Sequence, residues 1–546
     1  MRAGGLFLGA AAALLAGCDS PARVIPATPA SAQTQAAEPG PIRFVSAGDE
    51  AGIDFRLGHQ GRSPLTILET AGGGCAFFDF DQDGWPDVIL AGPQRAALYR
   101  NRGDGTFEDV TRKSGIRSDR YWMGCAVGDY DGDGRPDLFL TGYRCSTLYR
   151  NQGGGRFADA TREAGITGLD WTLSAAFADI NGDGRLDLYV PQYLKFDETT
   201  QQICQAGGVK FACGPELYKP LQGKLLLNAG GGRFRALPPE ELRDTGKTWG
   251  VVVSDLLESG KPAIYLANDM MPCDLWTQEG KRWKNVGPLT GTAYDIQGHM
   301  QGAMGVDTGD YDNDGRLDLI VTTFFAQETS LYRNDGNGLF TVTSGPTGIG
   351  PATMPYVGFG TAFADLDNDG WLDVVIANGH VRDSVEQFDT QQSYRQPLQL
   401  FRNDGRRFVE CTASAGEAVR SPLVGRGLSY ADYDRDGRLD LLVVDLEGKA
   451  LLLRNQSPAR QWLSVRLRMP GENRFALGAR IELQAGDQKQ TREVKTSGSV
   501  LSGLDTAAHF GLGDHEGPVQ LRIRWPDGTV RTQYVTELNR SLEVSR

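Results

Sequence analysis

The chain has 546 residues, a formal net charge of −13, 71 glycines and only 5 histidines. That length exceeds one ordinary domain, so internal repeats have to be sought before domains are counted. The acidic balance argues against nucleic acid as a partner, and the shortage of histidine argues against a histidine-rich metal centre.

Met1-Arg2 is followed by an apolar run from Leu6 to Ala16 and then by Leu15-Ala-Gly-Cys18. A run this short is the hydrophobic part of a signal peptide and cannot span a bilayer. Leu-Ala-Gly-Cys resembles the bacterial lipobox. That resemblance implies a lipoprotein signal peptide over 1–17, a diacylated Cys18 as the mature N-terminus, and a protein lipid-anchored at the bacterial cell envelope. Asp19 resembles an inner-membrane retention signal of some Gram-negative bacteria. Residues 18–41 are rich in Pro, Ala, Ser, Thr and Gln without periodicity, the composition of a disordered tether.

Asp79-Phe-Asp81-Gln-Asp83-Gly84-Trp85-Pro-Asp87 carries carboxylates at loop positions 1, 3, 5 and 9 and glycine at position 6. Calcium is a hard cation that takes six to eight oxygens at about 2.3–2.6 Å, and alternating aspartates on a tight loop can wrap it. Position 7 would add a backbone carbonyl. The loop recurs at Asp129, Asp131, Asp133, Arg135 and Asp137, and at Asp179, Asn181, Asp183, Arg185 and Asp187. Further copies hold Asp310, Asp312, Asp314, Arg316 and Asp318; Asp365, Asp367, Asp369, Trp371 and Asp373; and Asp432, Asp434, Asp436, Arg438 and Asp440. Short apolar runs flank every copy, which places the loops between strands rather than between the helices of an EF-hand. About six calcium ions are expected.

Each loop belongs to a four-segment repeat. The first reads Cys75-Ala-Phe-Phe, loop, Asp87-Val-Ile-Leu-Ala, Ala97-Leu-Tyr-Arg-Asn101, then Phe107-Glu-Asp-Val-Thr111 and Ser114-Gly-Ile116. Four short strands with tight turns make one blade of a β-propeller. The long interval between Asp179 and Asp310 contains a degenerate copy, Asp255-Leu-Leu-Glu258-Ser-Gly260, in which leucines occupy positions 2 and 3, and no calcium is expected there. That makes an all-β fold with seven blades over residues 42–457. The last copy ends at Leu451-Leu-Leu-Arg-Asn455 without a fourth segment. Phe44 to Ile53 imitates the missing piece, so the N-terminal strand is expected to close the ring.

These repeats resemble FG-GAP/VCBS repeats, similar to those of integrin α-subunit propellers. Ala71-Gly-Gly-Gly74, the Met304-Gly-Val-Asp307 run into Asp310, Ala377-Asn-Gly-His380 and Tyr394-Arg-Gln-Pro397 resemble the cartilage acidic protein family and its bacterial relatives. The resemblance implies calcium in the intact loops.

After Pro458 the pattern changes to alternating segments, Trp462–Leu467, Ala479–Gln484 and Gln520–Trp525. They predict a small antiparallel sandwich or barrel over 458–546. Asn473 to Arg480, Ser497 to Ser502, His509-Phe-Gly-Leu-Gly513 and Ile523 to Gly528 resemble the ASPIC/UnbV domain, a resemblance that implies no particular reaction.

Among the remaining cysteines, Cys204 and Cys213 share one Gly-containing insertion and are expected to form a local disulfide, while Cys75 and Cys125 read as buried thiols. Outside the metal loops, Asn268, Asp269, His299, Asn378 and His380 sit near strand ends and are candidates for a ligand face. No nucleophile elbow, phosphate loop, haem or zinc motif is present. The function read from the sequence is a binding, adhesion or assembly scaffold for an unidentified protein or glycan. An enzyme acting on an envelope polysaccharide is the alternative.

Overall fold

The structure is a computed structural model and describes residues 40–57 and 63–546. The signal peptide, Cys18 and nearly all of the tether lie outside the described residues. Gly74–Phe78, Asp87–Gly92, Arg95–Asn101 and Phe107–Asp109 form a four-stranded antiparallel meander. Its two inner strands are wholly buried, which explains their continuous apolar sequence.

Equivalent meanders begin at Trp122, Ala176, Thr248, Val306, Gly358 and Gly425. The innermost strand of each lies beside that of the next, and the one at Gly425–Ala431 lies beside Gly74–Phe78, so the meanders make a closed ring. Phe44–Ser46 pairs antiparallel with Leu451–Asn455 and completes the last blade as its fourth strand. Phe44 stands opposite Asn455, as Phe107 stands opposite Asn101 and Phe157 opposite Asn151.

The segment after Pro458 folds as two packed sheets. One holds Arg480–Ala485, Gln488–Glu493, Val519–Arg524 and Val530–Val535, and the other Gln461–Arg468, Ala508–Gly513 and Arg540–Ser545. It is not wholly antiparallel. Arg540–Ser545 runs parallel to Gln461–Arg468, because the chain crosses over the other sheet before it returns.

Residues 497–503 leave this domain and enter the centre of the ring. At least one backbone or side-chain bond ties this plug to each blade. Gly503 N–H donates to Cys75 O (3.0 Å), Cys125 N–H to Leu501 O (3.0 Å) and Leu501 N–H to Ser174 Oγ (2.9 Å). Val253 N–H donates to Ser497 Oγ (3.2 Å), Val306 N–H to Ser499 O (3.1 Å), Thr361 N–H to Ser499 Oγ (3.2 Å) and Ser429 Oγ to Gly503 O (2.8 Å). The approach is so close that a Cβ on Gly74 would lie 1.8 Å from Leu501 O. The plug therefore satisfies inner-strand polar groups that would otherwise face the channel.

Candidate metal loops and the two mouths of the propeller

Each loop is shaped by its own first and ninth residues. The position-1 carboxylate accepts the position-6 glycine N–H, as in Asp79 with Gly84 (2.9 Å) and Asp365 with Gly370 (2.8 Å). The position-9 carboxylate is spent on backbone. Asp87 accepts Asn101 N–H at Oδ1 (2.7 Å) and Phe80 N–H at Oδ2 (3.0 Å), and Asp137, Asp187, Asp318, Asp373 and Asp440 repeat this pattern.

Ligand oxygens from positions 1, 3 and 9 converge to within 4.8 Å of one another in Asp79/Asp81/Asp87, Asp129/Asp131/Asp137, Asp310/Asp312/Asp318, Asp365/Asp367/Asp373 and Asp432/Asp434/Asp440. The third loop has Asn181 at position 3 and so offers only two of these carboxylates. Position 5 is not drawn in. Asp133, Asp183, Asp314 and Asp436 pair with the position-7 arginines Arg135, Arg185, Arg316 and Arg438. Where position 7 is Trp85 or Trp371, the third-strand arginine substitutes. Arg100 lies 2.5 Å from Asp81 and 3.0 Å from Asp83, and Arg402 lies 2.8 Å from Asp367 and also pairs with Asp369.

These residues fit a divalent cation. Oδ1 of Asp79, Asp310, Asp367 and Asp432 is buried without a hydrogen-bond partner, and a buried, unpaired carboxylate oxygen is costly. Burial first, and neighbouring carboxylates second, push Asp365 up to about 7; burial is also the leading cause for Asp79 (about 6) and for Asp129, Asp310 and Asp432 (each about 7). A cation held by the converging carboxylates of positions 1, 3 and 9 would supply the missing partner and screen the repulsion.

Two loop features escaped the sequence reading. Position 4 is left-handed in every copy: Gln82, Gly132, Gly182, Glu258, Asn313, Asn368 and Arg435 all have positive φ. The recurrence of Asn and Gly there was the available signal. The third-strand asparagine also staples neighbouring blades. Asn101 Nδ2 donates to Tyr433 O (2.9 Å), Asn151 to Phe80 O (2.8 Å), Asn228 to Tyr130 O (2.7 Å), Asn334 to Leu256 O (3.0 Å), Asn403 to Tyr311 O (2.8 Å) and Asn455 to Leu366 O (2.8 Å).

The C-terminal domain covers the loop face. Gly511 N–H donates to Asp365 Oδ2 (3.1 Å), Arg460 lies 3.1 Å from Asp367, and Arg474 Nε donates to Gly132 O (3.1 Å). In the degenerate fourth loop, Arg524 pairs with Asp255.

The residues expected to form a ligand face do not act together. Asn268 is buried between Thr248 Oγ1 (2.6 Å) and Pro272 O (2.8 Å), and Asn378 is buried against Pro397 O (3.1 Å). His380 is buried, with Nδ1 accepting Arg382 N–H (2.9 Å) and Nε2 facing Gln392 Oε1 (2.8 Å); burial pushes it down to about 4. His299 is exposed beside Asp295. Nearby backbone groups claim the side chains of Asn268, Asn378 and His380, as they do for Asn and His near many strand ends. Asp269 faces a cavity on the mouth opposite the loops. The expected disulfide between Cys204 and Cys213 is present beside that cavity, and Cys75 and Cys125 are buried free thiols.

A family profile for FG-GAP-like repeats matches residues 79–140, 132–190 and 322–376, and one for ASPIC and UnbV matches residues 469–546. Cartilage acidic protein 1 of Mus musculus is 27% identical over 308 residues, covering 54% of this chain and 44% of the relative; the Homo sapiens protein is 27% identical over 308 residues, covering 54% and 43%. The chain thus spans less than half the length of the curated relatives it matches. Among solved structures, a lectin from Agrocybe aegerita is similar at 16% identity and TM-score 0.38, covering 69% of this chain and 86% of that one. Rhamnogalacturonan lyase YesW is similar at 13% identity and TM-score 0.35, covering 76% and 75%. This chain carries FG-GAP-like repeats and an ASPIC and UnbV domain, and is homologous over about half of its length to cartilage acidic protein 1.

Proposed function

We propose that this protein is a calcium-loaded scaffold of the bacterial cell envelope, held to the membrane by a lipid on Cys18 and acting by binding a protein or glycan. The observation that carries the calcium reading is the convergence of three carboxylates in five of the six intact loops, together with the orphaned Oδ1 atoms of Asp79, Asp310, Asp367 and Asp432. Calcium serves structure in this reading. It pins each inter-strand turn and offsets the repulsion of clustered aspartates beneath the C-terminal domain. Extracellular calcium modules bind with dissociation constants on the order of 0.1–1 mM, which suits an envelope compartment.

Metal analysis of protein dialysed against calcium tests this. About six ions per chain are expected, one for each intact loop, and two or fewer would overturn the reading. The anchor is tested by Cys18→Ala, which should abolish labelling by a palmitate probe.

A further inference from the structure

The insertion in the third blade is a small hairpin, Ile203–Ala206 with Val209–Ala212, tied by the Cys204–Cys213 disulfide. It reaches across the propeller mouth to the sixth blade. Phe211 stacks on Phe388 with ring centres 5.0 Å apart, and the Arg382 guanidinium lies 4.6 Å over the Phe211 ring. Beside the hairpin is a chamber of about 320 Å³. At about 30 Å³ per water this holds roughly ten waters, the room of one ring-sized ligand. Its walls are chiefly apolar, with Trp249, Tyr193, Met304 and Phe324 among them. Trp249 and Met304 belong to the same apolar cluster as Val500 and Leu501 at the tip of the plug, so the chamber wall packs in one core with the C-terminal domain.

Two charged groups in this apolar wall keep hydrogen-bonding capacity that the protein does not use. Asp269 accepts Tyr193 O–H (2.7 Å) and Trp249 Nε1–H (3.2 Å), both at Oδ2; among the described residues no donor reaches Oδ1. The Arg382 guanidinium makes no hydrogen bond among the described residues. Each charge is answered electrostatically from outside the cavity or at its rim, Asp269 by Lys247 and Arg382 by Glu216. An anionic ligand would meet Asp269 and a cationic one Arg382, so neither gains from its charge. A purely apolar ligand would strand both groups in a dry site. A neutral ring bearing hydroxyls would stack on Trp249 and Tyr193, donate to Asp269 and accept from Arg382.

We propose that this chamber is a binding site for such a ligand, with the chemistry of a neutral pyranoside unit. The site is separate from the metal loops and does not rest on their occupancy. Its test uses the full chain, loaded with calcium, titrated with methyl glucoside, galactoside and mannoside and followed by calorimetry and tryptophan fluorescence. Saturable binding of at least one pyranoside at a single site is expected. Asp269→Asn should weaken it about tenfold or more through the lost charge-assisted hydrogen bond. Met270 is 43% exposed at the rim; Met270→Trp should block entry with the melting temperature unchanged. No binding by any of the three overturns the assignment, as does binding that survives both variants or binding of phenol in their place. Failure in a preparation whose calcium count is full leaves the metal reading standing.

Discussion

Arg524 of the C-terminal domain places its guanidinium 3.0 Å from Oδ2 of Asp255, the position-1 residue of the degenerate fourth loop. Asp255 still accepts Ser259 N–H (2.9 Å) and Gly260 N–H (3.1 Å), so the turn keeps its shape although Leu257 and Ala263 replace two ligands. A guanidinium stands here where the intact loops would hold an ion. Asp255→Ala should leave the calcium count unchanged, whereas Asp365→Ala should lower it by about one per chain. Metal analysis of the two variants side by side checks this, and equal losses would contradict it.

Lys495 Nζ lies 2.5 Å from Oδ1 of Asp307, whose Oδ2 accepts Phe363 N–H (2.8 Å). Asp307 is buried in the fifth blade and Lys495 comes from the C-terminal domain. Removing one partner of a buried pair leaves an uncompensated charge, so Lys495→Ala is expected to cost about 3–5 kcal/mol in chemical denaturation. The double variant Lys495→Met with Asp307→Asn should recover part of that loss. A Lys495→Ala cost below about 1 kcal/mol would mean that the two groups remain solvated.

Leu501 is fully buried at the tip of the plug. Leu501→Ala is expected to destabilise the protein by about 2–5 kcal/mol through lost burial and the cavity it leaves. Because the plug touches every blade, unfolding monitored by near-UV and far-UV signals should shift together. A shift confined to the C-terminal domain would show that the blades do not depend on it.

Ring closure depends on Phe44–Ser46 pairing with Leu451–Asn455. Deleting residues up to Pro41 should leave the melting temperature nearly unchanged. Deleting through Ile53 should expose the edge of the last blade and promote aggregation, read by light scattering. Retention of a monomeric, equally stable protein after the longer deletion would sink this account.

His380 is held at a pKa of about 4, by burial first and by the Arg382 and Arg426 charges after it, against 6.5 for an exposed histidine. The unfolded chain therefore takes up a proton near pH 6.5 and the folded chain does not until about pH 4. Stability should fall as pH drops through that window, by about 3 kcal/mol in total at about 1.4 kcal/mol per pH unit of separation. Denaturation of wild type and His380→Gln at pH 7 and pH 5 measures this contribution; an acid loss equal in both would remove it.

The acidic loops are legible because their carboxylates lie within nine consecutive residues, where spacing alone fixes which of them can meet. Ring closure was legible too, since Leu451–Asn455 lacked a fourth segment and Phe44 to Ile53 supplied one with the same Phe…Ala-Gly-Ile pattern. The pairing of position 5 is not visible in the spacing, because Asp133 and its counterparts meet the arginines at position 7 through a side-chain choice made among neighbours at short range. Asn268, Asn378 and His380 were grouped as a ligand face because strand-end position is visible in a sequence while side-chain direction is not.

Local spacing and periodicity thus determined the four-stranded repeats and the acidic loops between their strands, since each of these is a short-range property of the chain. The plug was decided only in three dimensions: Ser497 to Gly503 is a short polar and apolar stretch whose partners, Cys75, Cys125, Ser174, Val253, Val306, Thr361 and Ser429, lie in seven different repeats. The chamber at the opposite mouth was decided there as well, because Asp269, Trp249 and Tyr193 meet Arg382 only once the ring has closed and the hairpin tied by Cys204 and Cys213 has crossed to the sixth blade. Backbone hydrogen bonding between distant strands, which carries no signature in any single window of sequence, brings these groups together.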